Sequence, residues 1–277
     1  MMRKLAIGWL VCFGAWGVRP ATAQMEYPLD LTVAKSGVIY IADRNLPGVW
    51  RVEQGKLALF FKGSKRFRTP LNAVRCVAMD ADGKLLAGDS ATREVYRFDQ
   101  DGKPVPLTDG GIGIPMGIAV DSQGRILVSD LELHRIYRIP AEGGKPEMVA
   151  EVRAPRGITI DSNDRLWVVS HGKNQLVRVA PDGTVQTVVE GRPFEFPHTV
   201  VLGADGTAYV CDGYAKAIWK IPAGGKPSKW VSGKPFINPV GMARRGESLL
   251  VVDPHARALF EVSPAGEVAP MKLSANP

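Results

Sequence analysis

The chain has 277 residues, 45% of them hydrophobic and 23% charged, with a formal net charge of +7. That length suits one large or two ordinary domains, and no acidic, basic or low-complexity block points to a disordered segment. The positive excess is too mild to argue for nucleic acid by itself.

The first residues read as a secretory signal peptide over 1–23. Met1 to Lys4 carries positive charge, Leu5 to Val18 is apolar, and Ala21-Thr22-Ala23 is a small-residue cleavage site. The apolar run is too short for a bilayer span. The expectation is an exported chain, periplasmic or extracellular, with no stable membrane anchor after cleavage near Ala23. The mature domain, 24–277, then carries a formal charge of +4, because Arg3, Lys4 and Arg19 are lost. Only Cys76 and Cys211 remain in it. A secreted chain of this size can build its core without disulfides.

Beyond the leader, one pattern repeats six times. Its clearest copy runs from Pro115 to Ile139: a short strand, an Asp121-Ser122-Gln123-Gly124 turn, a second strand ending in Asp130, a loop and a third strand. The second-strand segments end at Asp43, Asp89, Asp130, Ser170, Asp212 and Asp253, spaced 46, 41, 40, 42 and 41 residues apart. Third strands follow as VWRV, VYRF, IYRI, LVRV, IWKI and LFEV. A period near 40 fits helical arrays or four-stranded blades. The segments are short, rich in Val, Ile, Tyr and Trp, and bounded by Gly and Asp turns, without helical periodicity. They are strands. The fold class is therefore all-β: a six-bladed β-propeller of four-stranded antiparallel blades, spanning about Tyr27 to Leu273 as one domain. No surplus strand that would latch the last blade to the first is evident.

The antiparallel order places the start of strand one, the end of strand two and the inter-blade connection on one face. At the channel mouth on that face, the residue after the Pro-like position is Leu29, Arg75, Met116, Arg156, His198 and Val240. Connecting loops add Lys62, Lys65, Arg66, Arg68, Arg192 and Lys234. This concentration of positive charge favours an anionic small molecule or an anionic protein segment. Arg75, Arg156, His198 and Met116 are the candidate ligand contacts, with Asp130 and Asp212 beside the histidine sector. The strand-end aspartates recur in five of six repeats. That recurrence points first to a structural task, capping loop amides through Asx-type turns, with a basic residue such as Arg93 or Arg135 nearby to pair with.

All four histidines fall on this face. His134 occupies an ordinary polar loop position. His171, His198 and His255 come from adjacent blades, and three histidines are a candidate site for one divalent metal ion, Zn or Ca. Cys76 and Cys211 fall in opposite blades, too far apart to bridge, so two buried free thiols are expected. The aromatics Trp50, Tyr96, Tyr137, Trp219 and Phe260 share one strand-three position that suits packing between blades.

The repeat P-x-G-I-A-V-D-x-x-G-x-I-L-V-x-D-x(4)-R-I-x-R-I resembles the NHL repeat, shared with SMP-30/gluconolactonase-like six-bladed propellers. Repeat four ends in Ser170, and repeats five and six carry Gly203 and Arg244 where the turn Asp is expected. The resemblance implies a propeller that serves as a binding scaffold or as a metal-dependent lactone hydrolase. In the gluconolactonase pattern a Glu and blade-start Asn residues hold the cation. Glu26, Asn72 and Asn238 lie near such positions, but neither Asn is followed by Gly. The stretch FPHTVVLGADGTAYVCDGYAKAIWKI is similar to the Pro-His blades of peptidyl amidating lyases, which implies His198 as a metal ligand; no other blade has Pro-His. The leading expectation is a non-catalytic binding protein with a basic mouth, and the alternative is a metal-dependent hydrolase or lyase.

Overall fold

The computed structural model describes residues 24–66 and 68–275; the leader assigned to 1–23 lies outside them. All regular structure among them is strand, in six sheets, each built on four consecutive antiparallel strands, that follow one another along the chain. Blade three shows the common plan, with strands Pro115–Val120, Ile126–Asp130, Arg135–Ile139 and Glu147–Glu151. Each inner strand packs against the next, and that of blade one, Pro28–Val33, packs against Gly241–Arg245 of blade six. The ring is closed.

The second strands are buried along nearly their whole length, because neighbouring blades cover both of their faces. One apolar cluster fills each blade interface. Ile126, Val128 and Ile139 meet Leu86 and Val95 between blades two and three. Leu250, Val252 and Leu259 meet Ile39 and Ile41 where blade six returns to blade one. Trp50, Tyr96, Tyr137 and Phe260 belong to four such clusters, and Trp219 packs against a fifth. Cys76 and Cys211 are buried free thiols.

The strand-end aspartates stitch each blade together at the mouth. Asp130 is fully buried and accepts amide N–H bonds from Gly113 and Ile114, which enter blade three, and from Glu132 and Leu133, which leave its second strand. Asp43, Asp89, Asp212 and Asp253 repeat the arrangement. Asp43 and Asp212 also accept the indole N–H of Trp50 and Trp219. In blade four Ser170 substitutes, accepting from the Gly172 amide and donating its hydroxyl to the Arg153 carbonyl. The expected partnership with the following basic residue does not form: Arg93 pairs instead with Glu132 of the next blade.

Ring closure corrects one expectation. A surplus strand does exist. Ser274–Ala275 runs parallel to Lys56–Lys62, adding a fifth strand to the outer edge of blade one. Met271 and Leu273 pack against the blade six–one cluster beside it.

Candidate ligand site at the channel mouth

The register of the inner strands explains how side chains reach the channel. In five blades the first residue of strand one pairs with the last of strand two, and a register shift follows at once. The residue skipped in that shift is Leu29, Arg75, Met116 or His198, and in blade four the shift spans Arg156 and Gly157. A β-bulge leaves its extra residue out of the ladder and re-aims its side chain. Here it turns these side chains toward the axis.

A cavity of about 150 Å³ opens among them, lined by Arg75, Met116, Arg156 and His198 together with Tyr27 and Arg44. Four of the six candidate ligand contacts are thus brought together. Asp130 and Asp212 are not. Both are fully buried, and their oxygens are committed to backbone amides and, for Asp212, to the Trp219 indole. None of the connecting-loop bases lines this cavity. Arg192 reaches back to the carbonyls of His171 and Gly172.

The arginines at the mouth are not ion-paired. None of the ion pairs formed among the described residues involves Arg44, Arg75 or Arg156. The Arg75 Nε–H donates to Ser90 Oγ at 3.0 Å. Burial, and then the neighbouring charge of Arg44, lower the Arg75 pKa. Arg156 is lowered for the same reasons, burial first and then Arg75. Its Nε is buried without a partner, and its guanidinium lies over the ring of Phe196. Phe196 in turn stacks on exposed Tyr214, with centroids 4.6 Å apart. Three like charges gathered in a partly desolvated space favour an anion.

The three histidines are not gathered into one cluster. His171 and His198 each pack edge-on against Phe196, with centroids 4.5 and 4.9 Å from it, whereas His255 lies by Tyr27. The His171 Nε2–H donates to the Pro197 carbonyl at 2.8 Å. Among the described residues no group of three or more His, Cys, Asp or Glu could hold a metal ion. The arginines beside them would also repel a cation. Of the residues matched to the Glu and Asn pattern, Asn72 donates to the Arg66 carbonyl, and Asn238 Oδ1 is buried and unpartnered. Burial, aided by Arg156 and His171, pushes the His198 pKa down to about 3, so its imidazole is neutral. His134, as expected, is a loop residue; its Nδ1 accepts the Ala154 amide.

Sequence reasoning missed Arg44, Tyr27 and Asp30 among the lining residues. Arg44 follows strand-end Asp43 as His171 follows Ser170, and that alignment was the available signal. A larger chamber of about 510 Å³ opens at the opposite end of the channel. Of its charged lining residues, Asp161 engages Arg165 and Trp167, Arg244 engages the carbonyls of Leu202 and Gly246, and Asp30 is shared with the mouth. The free charge is at the mouth.

A closed ring of six blades with its bulge residues turned into one opening defines a six-bladed β-propeller with a basic axial mouth. The chain belongs to the virginiamycin B lyase family, whose model matches residues 62–276. No curated protein matches it. Among solved structures, virginiamycin B lyase from Staphylococcus aureus superposes with a TM-score of 0.70 at 19% identity, over 90% of this chain and 87% of that one. A gluconolactonase from Xanthomonas campestris gives a TM-score of 0.72 at 15% identity, over 89% and 87%. A nidogen/laminin complex gives 0.69 at 17%, over 87% and 91%. At these identities the likeness is one of fold, shared by enzymes and by a protein–protein complex.

Proposed function

We propose that this protein is an exported binding propeller whose mouth holds an anionic small molecule or the anionic segment of a protein. The observation that carries the reading is the set of three arginines, Arg44, Arg75 and Arg156, that face one cavity and take part in none of the ion pairs formed among the described residues. Guanidinium groups match carboxylate, sulfate and phosphate geometry and remain charged when partly buried. Export rests on the leader over 1–23. The test uses the chain from Gln24 onward, titrated calorimetrically with sulfate, benzoate, citrate and an acidic peptide. The expected result is salt-sensitive binding of at least one of them, weakened more than tenfold in an Arg75→Ala, Arg156→Ala double variant, as loss of two charge-assisted contacts would give. Binding that ignores both substitutions, or no binding at all, would overturn it.

Family membership favours a second reading, lyase chemistry at the same mouth. One structural neighbour is a catalytically inactive histidine-to-alanine variant of the staphylococcal enzyme with quinupristin. Abstraction of a proton calls for a base whose pKa lies near the working pH. Burial makes His198, at about 3, too weak a base, while His171 is lowered, by burial first, against the Pro197 carbonyl that raises it. A lyase would not use His198 as its base. Incubation with quinupristin, followed chromatographically, separates the readings: loss of the intact compound supports the lyase, and its survival the binding protein.

A further inference from the structure

The mouth has one acidic wall. Asp30 lines the cavity beside Arg44, Arg75 and Arg156, and among the described residues no other carboxylate does so. It also lines the larger chamber below, so it stands where the two spaces meet. Its Oδ2 accepts the Val77 amide of blade two at 3.0 Å. Its Oδ1 accepts no bond of its own from a side chain and pairs with no cation.

The fold does not call for a carboxylate there. The matching residues in the other blades are Cys76, Gly117, Gly157, Thr199 and Gly241. At Gly157 a Cβ would come within 2.6 Å of the His198 carbonyl, and at Gly117 within 2.9 Å of the Ile158 amide. The position is reserved for small residues because adjacent inner strands approach closely. Blade one alone places a carboxyl group in it.

We infer that Asp30 is a ligand contact at the floor of the mouth, that it meets the bound anion as the neutral acid, and that anion binding takes up a proton. This rests on the anion-binding reading above. An anion seated among the arginines lies against the Asp30 carboxyl, and two negative charges in a space of about 150 Å³ repel. Protonation removes the repulsion and supplies an O–H donor to the ligand. Burial already holds the Asp30 pKa up at about 7, against the amides of Val77 and Leu31, which lower it. The charged and titratable groups around it are Arg44 after strand two of its own blade, Tyr27 before its strand, Arg75 and Cys76 on blade two, Arg156 and His198 across the channel, and Arg244 on blade six in the lower chamber. His198 stays neutral throughout the range concerned.

Sulfate is the probe, because its charge is constant between pH 6 and pH 9. Affinity of the wild type should fall about tenfold per pH unit above the Asp30 pKa, the signature of one linked proton. Calorimetry in buffers of different ionisation heat should show close to one proton taken up at pH 8. Asp30→Asn keeps an acceptor for the Val77 amide; its affinity should be independent of pH and at least equal to that of the wild type. Sulfate binding that is flat with pH in the wild type would overturn the role of Asp30 and leave the anion site standing. No sulfate binding at any pH would count against both. A carboxyl-carbon NMR titration of the unliganded protein is an independent check: an Asp30 midpoint near that of an ordinary aspartate would overturn the inference whatever binds.

Discussion

The guanidinium carbon of Arg156 lies 5.0 Å from the centre of the Phe196 ring, across the boundary between blades four and five. Arg156 comes from the bulge that opens its own inner strand. Phe196 comes from the loop feeding the next blade, where Asp212 Oδ1 holds its amide. The aromatic face thus fixes a cation whose Nε has no other partner.

Replacing that ring should loosen the arginine without unfolding the blade. Phe196→Leu keeps apolar bulk and loses the cation–π contact, which is worth about 1 kcal/mol. Anion affinity is expected to fall roughly fivefold, with little change in melting temperature. Titration with sulfate or benzoate, set beside a thermal melt, measures both.

Asp130 predicts a different pattern. Asp130→Ala would strand four amides at the mouth end of blade three. Leaving them unpaired should cost about 3–5 kcal/mol, with Asp130→Asn intermediate. Urea unfolding gives the loss. Whatever fraction remains folded should bind anions as the wild type does, because Asp130 does not line the cavity; a specific loss of affinity would contradict this.

The parallel strand at the C-terminal end is the latch of the ring. Truncation after Pro270 removes its pairing with Lys56 and Leu57 and the packing of Met271 and Leu273. Two half-buried apolar side chains contribute about 2–3 kcal/mol, so the urea midpoint should drop accordingly. An unchanged midpoint would mean that blade six and blade one hold together through their inner strands alone.

The pH dependence of stability follows from two opposed groups. The Asp30 pKa is raised from 3.8 to about 7, so the folded state binds that proton more tightly than the unfolded chain does. Its contribution is complete below about pH 4 and is lost as the pH rises toward 7. His198 is lowered from 6.5 to about 3. Its contribution is present above pH 6.5 and is lost as the pH falls toward 3. The slopes oppose each other in the overlap. Asp30→Asn should therefore melt at lower temperature as the pH falls from 6.5 to 4, and His198→Asn as it rises from 4 to 7. Thermal melts across this range test both, and variants with parallel profiles would rule the account out.

Much of the architecture was legible because it is written locally. Val, Ile and Trp runs closed by Asp, and Gly at turns such as Gly124 with φ of 77°, specify strand and turn within a few residues. Their recurrence specifies the ring. The latch escaped notice because Ser274–Ala275 is short and exposed. Its pairing is made by backbone, which leaves no side-chain pattern. The histidine trio looked convergent because adjacent blades supply it, yet the direction of each ring is set by Phe196 and Tyr27.

The sequence by itself determined the strands, their sixfold repetition, the capping aspartates and the ring of positions that faces the axis, since each depends on neighbours close in the chain. Tertiary structure alone decided that Arg44 and Asp30 join Arg75, Arg156 and His198 around one cavity, that Asp130 and Asp212 are withdrawn from it, and that the three arginines form none of the ion pairs among the described residues. Those outcomes depend on the bulges that aim side chains across the channel and on the burial that sets their proton affinities. Both arise only when six distant segments close on a common axis.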